Sequence, residues 1–219
     1  MRLSSYSIKL IAFALMVIDH AGRIFLPGWW LPIALGRLSY PLFAWLAAEG
    51  QKNTSNIFRY IGRLLLWGSI SQPVYAYFSY LDERPPQLNI LFTLALGVGA
   101  LAVWKRAHPV VGVLTLLLVL VLSIVLQVAG GPYSVSIIYL MSEIRYRDWK
   151  WHLAFAGTVL AFVAVYGFSV VEICALFSPF ILLFYGGTRG RKTKVFYLLY
   201  PAHFIALISI RGLLMGWTH

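Results

Sequence analysis

Runs of about 20 apolar residues recur along the whole of this chain, separated by short polar breaks, and that alternation restricts the folds open to it. The runs read near 8–26, 30–49, 58–80, 88–104, 109–128, 132–146, 151–166, 168–185 and 194–214. Breaks at Pro27-Gly28, Gly50-Gln51-Lys52-Asn53, Asp82-Glu83-Arg84-Pro85-Pro86, His108-Pro109, Gly130-Gly131-Pro132 and Gly186-Gly187 are rich in the residues that end helices. Only 11% of the 219 residues are charged and 60% are hydrophobic, whereas soluble domains carry about 25% charged residues. The expected fold class is all-α: a polytopic transmembrane bundle of about nine helices, folded as one integral membrane domain over 1–219. Around Gly167 two readings stay open, since 151–185 forms either two short helices or one span with a re-entrant piece.

Charge placement gives the expected orientation. Arg2 and Lys9 precede the first run, Lys52, Arg59 and Arg63 surround the second break, and Lys105 and Arg106 mark the fourth. Arg145, Arg147 and Lys150 mark the sixth, and Arg189, Arg191, Lys192 and Lys194 the eighth. Fourteen of the 18 cations thus fall on alternate connections. By the positive-inside rule those connections are cytoplasmic, with the amino terminus inside and the carboxyl terminus outside. The net charge of +11 is then mostly an orientation signal and not a nucleic-acid footprint, although an anionic cytosolic ligand could use it as well. The amino-terminal run has no small-residue cleavage site and reads as a retained span. Cys174, the single cysteine, reads as packing.

Within the first run stand Asp19 and His20. A charge near the bilayer centre costs on the order of 2.5 to 3.5 kcal/mol, so this pair needs a structural or chemical reason. With the orientation above, Asp19, His20 and Arg37 fall in outer halves of their spans, as does Glu172. Asn89, Thr93 and Gly97 form an i,i+4 stripe that should face protein, because lipid offers Asn no partner. His203 lies near the middle of the last span; Glu49, Arg59 and Arg63 lie toward the cytoplasm. Two polar neighbourhoods result: an outer one of Asp19, His20, Arg37, Asn89 and Glu172, and an inner one of Arg59, Arg63 and the basic loops.

Each of these residues also has a purely structural reading. Asp19 and Arg23 can pair at i,i+4, Arg37 can neutralise Asp19, Glu49 and Lys52 can form a solvated helix end, and Glu172 can cap a helix. Arg59 and Arg63 can be topology signals, and His203 a hydrogen-bonded packing histidine. No Gly-Lys-Ser/Thr phosphate loop, His-Glu-x-x-His zinc helix or Gly-x-Ser-x-Gly elbow occurs, and His20, His108, His152, His203 and His219 lack metal-ligand spacing. No metal is expected.

The chemistry that suits an intramembrane Asp-His backed by basic residues is acyl transfer. A neutral His takes a proton from an attacking amine or hydroxyl, and guanidinium groups bind the phosphates of a donor such as acetyl-CoA. The residues also resemble a known family. Leu10 to Arg23 with Ile18-Asp19-His20, then Gly36-Arg37-Leu38-Ser39-Tyr40-Pro41-Leu42-Phe43-Ala44-Trp45 through Ala48-Glu49-Gly50, resemble the opening of the TraX family. The resemblance continues in Tyr60-Ile61-Gly62-Arg63-Leu64, Ser71-Gln72-Pro73, Asn89-Ile90-Leu91-Phe92-Thr93-Leu94 and Phe196-Tyr197-Leu198-Leu199-Tyr200-Pro201-Ala202-His203. It covers the first 100 residues and the last helix, while about 105 to 185 reads as generic apolar helix.

The resemblance implies a bacterial inner-membrane acetylase of the kind that modifies the amino terminus of conjugative pilin. It also implies a distant similarity to membrane acyltransferase family three, whose first-helix histidine and following arginines map to His20 and to Arg59 and Arg63. The implied assignment has acetyl-CoA docked against Arg59 and Arg63 and His20 as general base or transient acetyl carrier. Asp19 and Arg37 would orient it, and Asn89, Thr93, His203 and Glu49 would line the substrate path. The acceptor would be a protein amino terminus or an envelope glycan, by N- or O-acetylation. Two rivals remain: a small proton-coupled transporter using the same Asp, His and Arg residues, and a non-catalytic membrane scaffold.

Overall fold

Ser4 begins the first helix: its hydroxyl accepts the Ser7 N–H, and the chain then runs helically as α1, Ser5–Phe25. The computed structural model describes residues 2–144, 148–167, 170–191 and 193–215; Arg145, Arg147, Lys192 and His219 lie outside the described residues. After the Pro27-Gly28 turn come α2 (Trp30–Arg37) and α3 (Ser39–Lys52), then α4 (Ile57–Leu81), α5 (Ile90–Trp104) and α6 (Pro109–Val125). These are followed by α7 (Gly131–Ser142), α8 (Trp149–Tyr166), a 3₁₀ segment (Val170–Phe177), α9 (Ser178–Leu182) and α10 (Val195–Met215). The fold is all-α, and two isolated β-bridges, Leu3 with Tyr185 and Leu88 with Val128, pair loop residues.

Taking α2 with α3, and the 3₁₀ segment with α9, as continuous rods gives nine rods among the described residues, close to the nine runs of the sequence. The division at Leu38 has a local cause. Pro41 lacks the N–H that would bond the Arg37 carbonyl four residues back, so the ladder is interrupted there. At the other ambiguous point α8 ends on Gly167 in the left-handed region at φ 63°, and the next piece begins as 3₁₀ helix. Within 151–185 the described residues thus form two helical pieces, α8 up to Gly167 and the 3₁₀ segment with α9 from Val170.

Two rods, Trp30–Lys52 with 23 residues and Val195–Leu214 with 20, are long and apolar enough to cross a bilayer. Phe78, Phe155, Phe204, Leu42, Ile137 and Ile138 are fully buried between helices. Val110, Leu114, Leu117, Leu118, Val121 and Val125 of α6 are exposed instead. Such an outward apolar face is unusual on a soluble monomer.

Helices α1 and α2 approach closely because two glycines stand at their contact. A Cβ on Gly22 would collide with Pro32, and a Cβ on Gly36 would collide with the Cβ of Asp19 and lie 2.7 Å from its carboxyl carbon. A polar clasp holds α4 to α5. The Asn89 side chain caps α5 by accepting from the Leu91 N–H, while its amide donates to the Gly68 carbonyl and to Gln72 Oε1, each at 2.8 Å. The Gln72 amide donates in turn to the Gln87 carbonyl at 2.8 Å. Thr93 donates to the Ala129 carbonyl at 2.9 Å. The Asn89–Thr93–Gly97 stripe is buried in protein, as its polarity requires.

Connections gather at two ends. Leu3, Ser5 and Tyr6 bond through backbone to Phe184, Thr188 and Arg189. At the opposite end of α1, Arg23 reaches Asp82 after α4, and Leu88 pairs with the loop after α6. The start of the chain and the segment before α10 therefore share one end, and the connections after α4 and α6 the other. The glycine contact makes a direct expectation: Gly36→Ala lowers the unfolding midpoint by the equivalent of about 1 to 3 kcal/mol, the usual cost of overpacking. Gly62→Ala, on α4 with nothing within 4 Å of the added methyl, is neutral or slightly stabilising. Thermal denaturation of the purified protein compares the two.

Candidate functional site: a buried charge network, a histidine pair and a basic cavity

The close approach at Gly36 brings Arg37 onto Asp19. Arg37 Nη2 donates to Asp19 Oδ1 at 2.8 Å, and Arg23, one turn along α1, donates from Nε to Oδ2 at 2.9 Å. Arg37 Nη1 donates to Glu172 Oε2 at 3.0 Å, which ties α2 to the 3₁₀ segment. Arg23 Nη1 stands 3.7 Å from Asp82, which also pairs with Arg84. Three carboxylates and three guanidiniums are thereby joined, with the Asp19 side chain only 9% exposed. Opposite charges interlocked in this way keep the cluster near neutral, which is how an apolar surrounding tolerates it.

His20 borders this network. Its Nε2 is 4.0 Å from Asp19 Oδ2, and its Nδ1 is 3.0 Å from Nε2 of His203 on α10. His203 Nδ1 is 3.3 Å from the Leu199 carbonyl oxygen of its own helix. Phe78 and Phe204 pack on the His20 ring, and Phe13, Tyr200 and Phe204 on the His203 ring.

A cavity of about 660 Å³ lies at the end of the bundle where the start of α1, the α3–α4 turn and the segment before α10 converge. Among the described residues Lys9, Arg63, Arg189, Arg191 and Lys194 line it, with Glu49 the one acidic lining residue. Phe13, Met16, Leu64, Leu91, Leu94 and Tyr200 supply its apolar wall. Phe13 and Tyr200, which line the cavity, are also the rings that contact His203, at centroid distances of 5.8 and 5.6 Å. Such a site can hold a molecule with a polyanionic head and an apolar arm, because guanidinium and ammonium groups match phosphate oxygens.

Of the residues singled out in sequence, Asp19, His20, Arg37 and Glu172 lie together, and His203 joins His20. Arg63 and Glu49 line the cavity, with Glu49 also 2.9 Å from Lys52. Arg59 is exposed and outside the cavity lining. Asn89 and Thr93 also lie outside that lining, with their polar groups bonded into the α4–α5 clasp and to the loop before α7. Sequence reasoning placed Lys9, Arg189, Arg191 and Lys194 among the orientation signals and basic loops open to an anionic ligand, with no donor contact assigned to any of them; the density of cations in the short segment 189–194 was the available hint of a shared ligand. It also passed over Asp82 and Arg84, which looked like turn residues. Among the described residues no group of three or more His, Cys, Asp or Glu could hold a metal ion.

The fold and site together are those of a helical bundle with a charge network sealed inside it and a basic cavity at one end. The family described as TraX protein matches residues 4–211, and the chain belongs to the TraX family. It is similar to the probable fimbrial assembly protein FimC, serogroup H1, of Dichelobacter nodosus, at 32% identity over 235 residues, covering 95% of this chain and 96% of that protein. No solved structure matches it.

The network predicts a large asymmetry between two acid–base pairs. Asp19→Asn removes the carboxylate shared by two half-buried guanidiniums, leaving Arg37 with Glu172 and Arg23 with Asp82, and lowers stability by about 3 kcal/mol, the low end of the range for breaking a buried pair from one side. Lys52→Ala removes a pair whose lysine is 41% exposed and changes stability by less than about 1 kcal/mol. Equal losses in chemical denaturation would show that the Asp19 network carries no such stability.

Proposed function

We propose that this protein is an integral membrane acetyltransferase. It moves an acetyl group from acetyl-CoA to an amine or hydroxyl acceptor, most simply the amino terminus of a pilin or another envelope component. The observation that carries this reading is the cavity with a basic mouth whose apolar wall abuts the His203–His20 pair. Membership of the TraX family supports acetylation, and the fimbrial assembly name of the Dichelobacter relative supports a pilus-type acceptor. The outward apolar face of α6 and the two long apolar rods support a multi-pass position in the bacterial inner membrane. With the basic connections in the cytoplasm, the amino terminus lies inside and the carboxyl terminus outside. The cavity then opens to the cytosol, where acetyl-CoA is found.

In this reading Lys9, Arg63, Arg189, Arg191 and Lys194 bind the donor's phosphates, and Arg59, one helical turn before Arg63, adds only longer-range charge. The pantetheine arm follows Phe13, Met16, Leu91 and Leu94. The rings of Phe13 and Tyr200 stand between the cavity and His203, so the thioester reaches the histidines as those rings turn aside. The acceptor nitrogen or oxygen attacks the thioester carbonyl while His20 takes its proton. The new bond to carbon forms, the C–S bond breaks, and the departing sulfur takes up the proton held by His20. The Asp19 carboxylate 4.0 Å from Nε2 stabilises the imidazolium formed in between, and Arg37 and Arg23 hold that carboxylate in place.

Calorimetry with acetyl-CoA tests the donor site. Wild type binds saturably, Arg63→Ala binds about 10- to 100-fold more weakly as expected for one charge-assisted contact, and Arg59→Ala changes binding little. Absence of binding by folded wild type removes the donor site. His20→Ala keeps donor affinity but loses about 10² to 10⁴-fold in turnover, measured with labelled acetyl groups and a peptide amine acceptor. Normal turnover in that variant excludes His20 as the base.

A further inference from the structure

We infer that His203 is a positioning residue that fixes the tautomer of His20, placing the His20 proton on Nδ1 and leaving Nε2 as the basic nitrogen that faces Asp19. The inference about the tautomer rests on geometry alone; its use in catalysis rests on the acetyltransferase reading.

Four atoms follow one another in series: the Leu199 carbonyl oxygen, His203 Nδ1, His203 Nε2 and His20 Nδ1. The Leu199 carbonyl oxygen can only accept, so His203 Nδ1, 3.3 Å away, carries the hydrogen. A neutral imidazole has one N–H, and His203 has no carboxylate among its described partners to support a second. Its Nε2 is therefore an acceptor, and His20 Nδ1 at 3.0 Å must be the donor. The rings are almost coplanar, at 10°, with centroids 5.2 Å apart, which is the arrangement of two imidazoles joined edge to edge through their nitrogens. The reverse order would set the lone pair of His203 Nδ1 against the lone pairs of the Leu199 oxygen.

The consequence appears at the far side of His20. Nε2 carries a lone pair directed to the side where Asp19 Oδ2 lies at 4.0 Å. A proton collected there sits between a carboxylate and a ring whose other nitrogen is already hydrogen-bonded, and Arg23 and Arg84 are the other charged groups near it. Without His203, His20 is free to place its hydrogen on Nε2 and turn a donor toward Asp19. That form cannot act as a base on the Asp19 side. Which ring nitrogen is protonated is set by what the other one bonds.

The experiment is nitrogen-15 NMR of histidine-labelled full-length protein in lipid nanodiscs, with His20→Asn and His203→Phe variants to assign the signals. In wild type the expected result is the Nδ1–H form at both His20 and His203. In His203→Phe the His20 signal moves to the Nε2–H form, and in His203→Gln, whose side-chain oxygen can accept from Nδ1, it stays Nδ1–H. An Nε2–H form of His20 in wild type overturns the inference even if His203→Phe fails to fold, and so does an unchanged His20 signal in a folded His203→Phe. Acetyl transfer gives a separate readout. His203→Phe lowers kcat by about 10² to 10⁴-fold with donor binding kept, and His203→Gln restores most of it. Correct tautomers in a protein without acetyl transfer would sustain the inference and remove the enzymatic reading. Full kcat in a His203→Phe protein whose tautomer has changed would overturn the catalytic use.

Discussion

A carboxylate inside an apolar bundle has to be supplied with partners, and around Asp19 that requirement shapes the backbone itself. Gly36 lets α2 come close enough for Arg37 to lie against Asp19, and Gly22 makes room for Pro32 about one turn away on the same contact. Arg37 then extends to Glu172, and Arg23 to Asp82, so one side chain of α1 organises contacts with α2, the 3₁₀ segment and the loop after α4. The energetic cost of burying six charges is offset only if all of them are in place together, which makes the cluster cooperative.

The same cluster separates two environments. On one side of the His20–His203 pair is a network of alternating charges; on the other is a cavity whose cations have a single acidic residue among them. Charges that already neutralise one another have little left for a ligand, whereas unmatched cations attract one. The histidines stand at the boundary, where a group bound on the basic side and a group approaching from the charged side could meet.

Much of the arrangement was legible in the sequence because lipid-compatible helices leave strong marks: apolar runs and breaks rich in Gly and Pro. Helix number, the buried Asn89 stripe and the association of Asp19 with Arg23 and Arg37 follow from those marks and from i,i+4 spacing. The His20–His203 contact did not follow, because the two residues are 183 positions apart and neither carries a local signal of the other. Nor did the split of the second rod at Leu38, although Pro41 marked it in retrospect. The basic cavity was hidden by a different cause. Lys9, Arg189, Arg191 and Lys194 satisfy the positive-inside rule, so a reading of charge along the chain has no way to tell an orientation signal from a ligand contact until distant loops are brought together.

Those loops meet because the first residues of the chain are stitched to the last turn before α10, with Leu3 bonded to Phe184, Ser5 to Thr188 and Tyr6 to Arg189. The cavity is thus closed by two segments that lie far apart in the sequence. Without α10 and the segment before it the groove there stays open, and neither the ring of cations nor the histidine pair is complete. Any truncation before α10 therefore leaves a bundle without His203 and without the cavity wall that Phe196, Tyr197 and Tyr200 supply, however well the earlier helices pack.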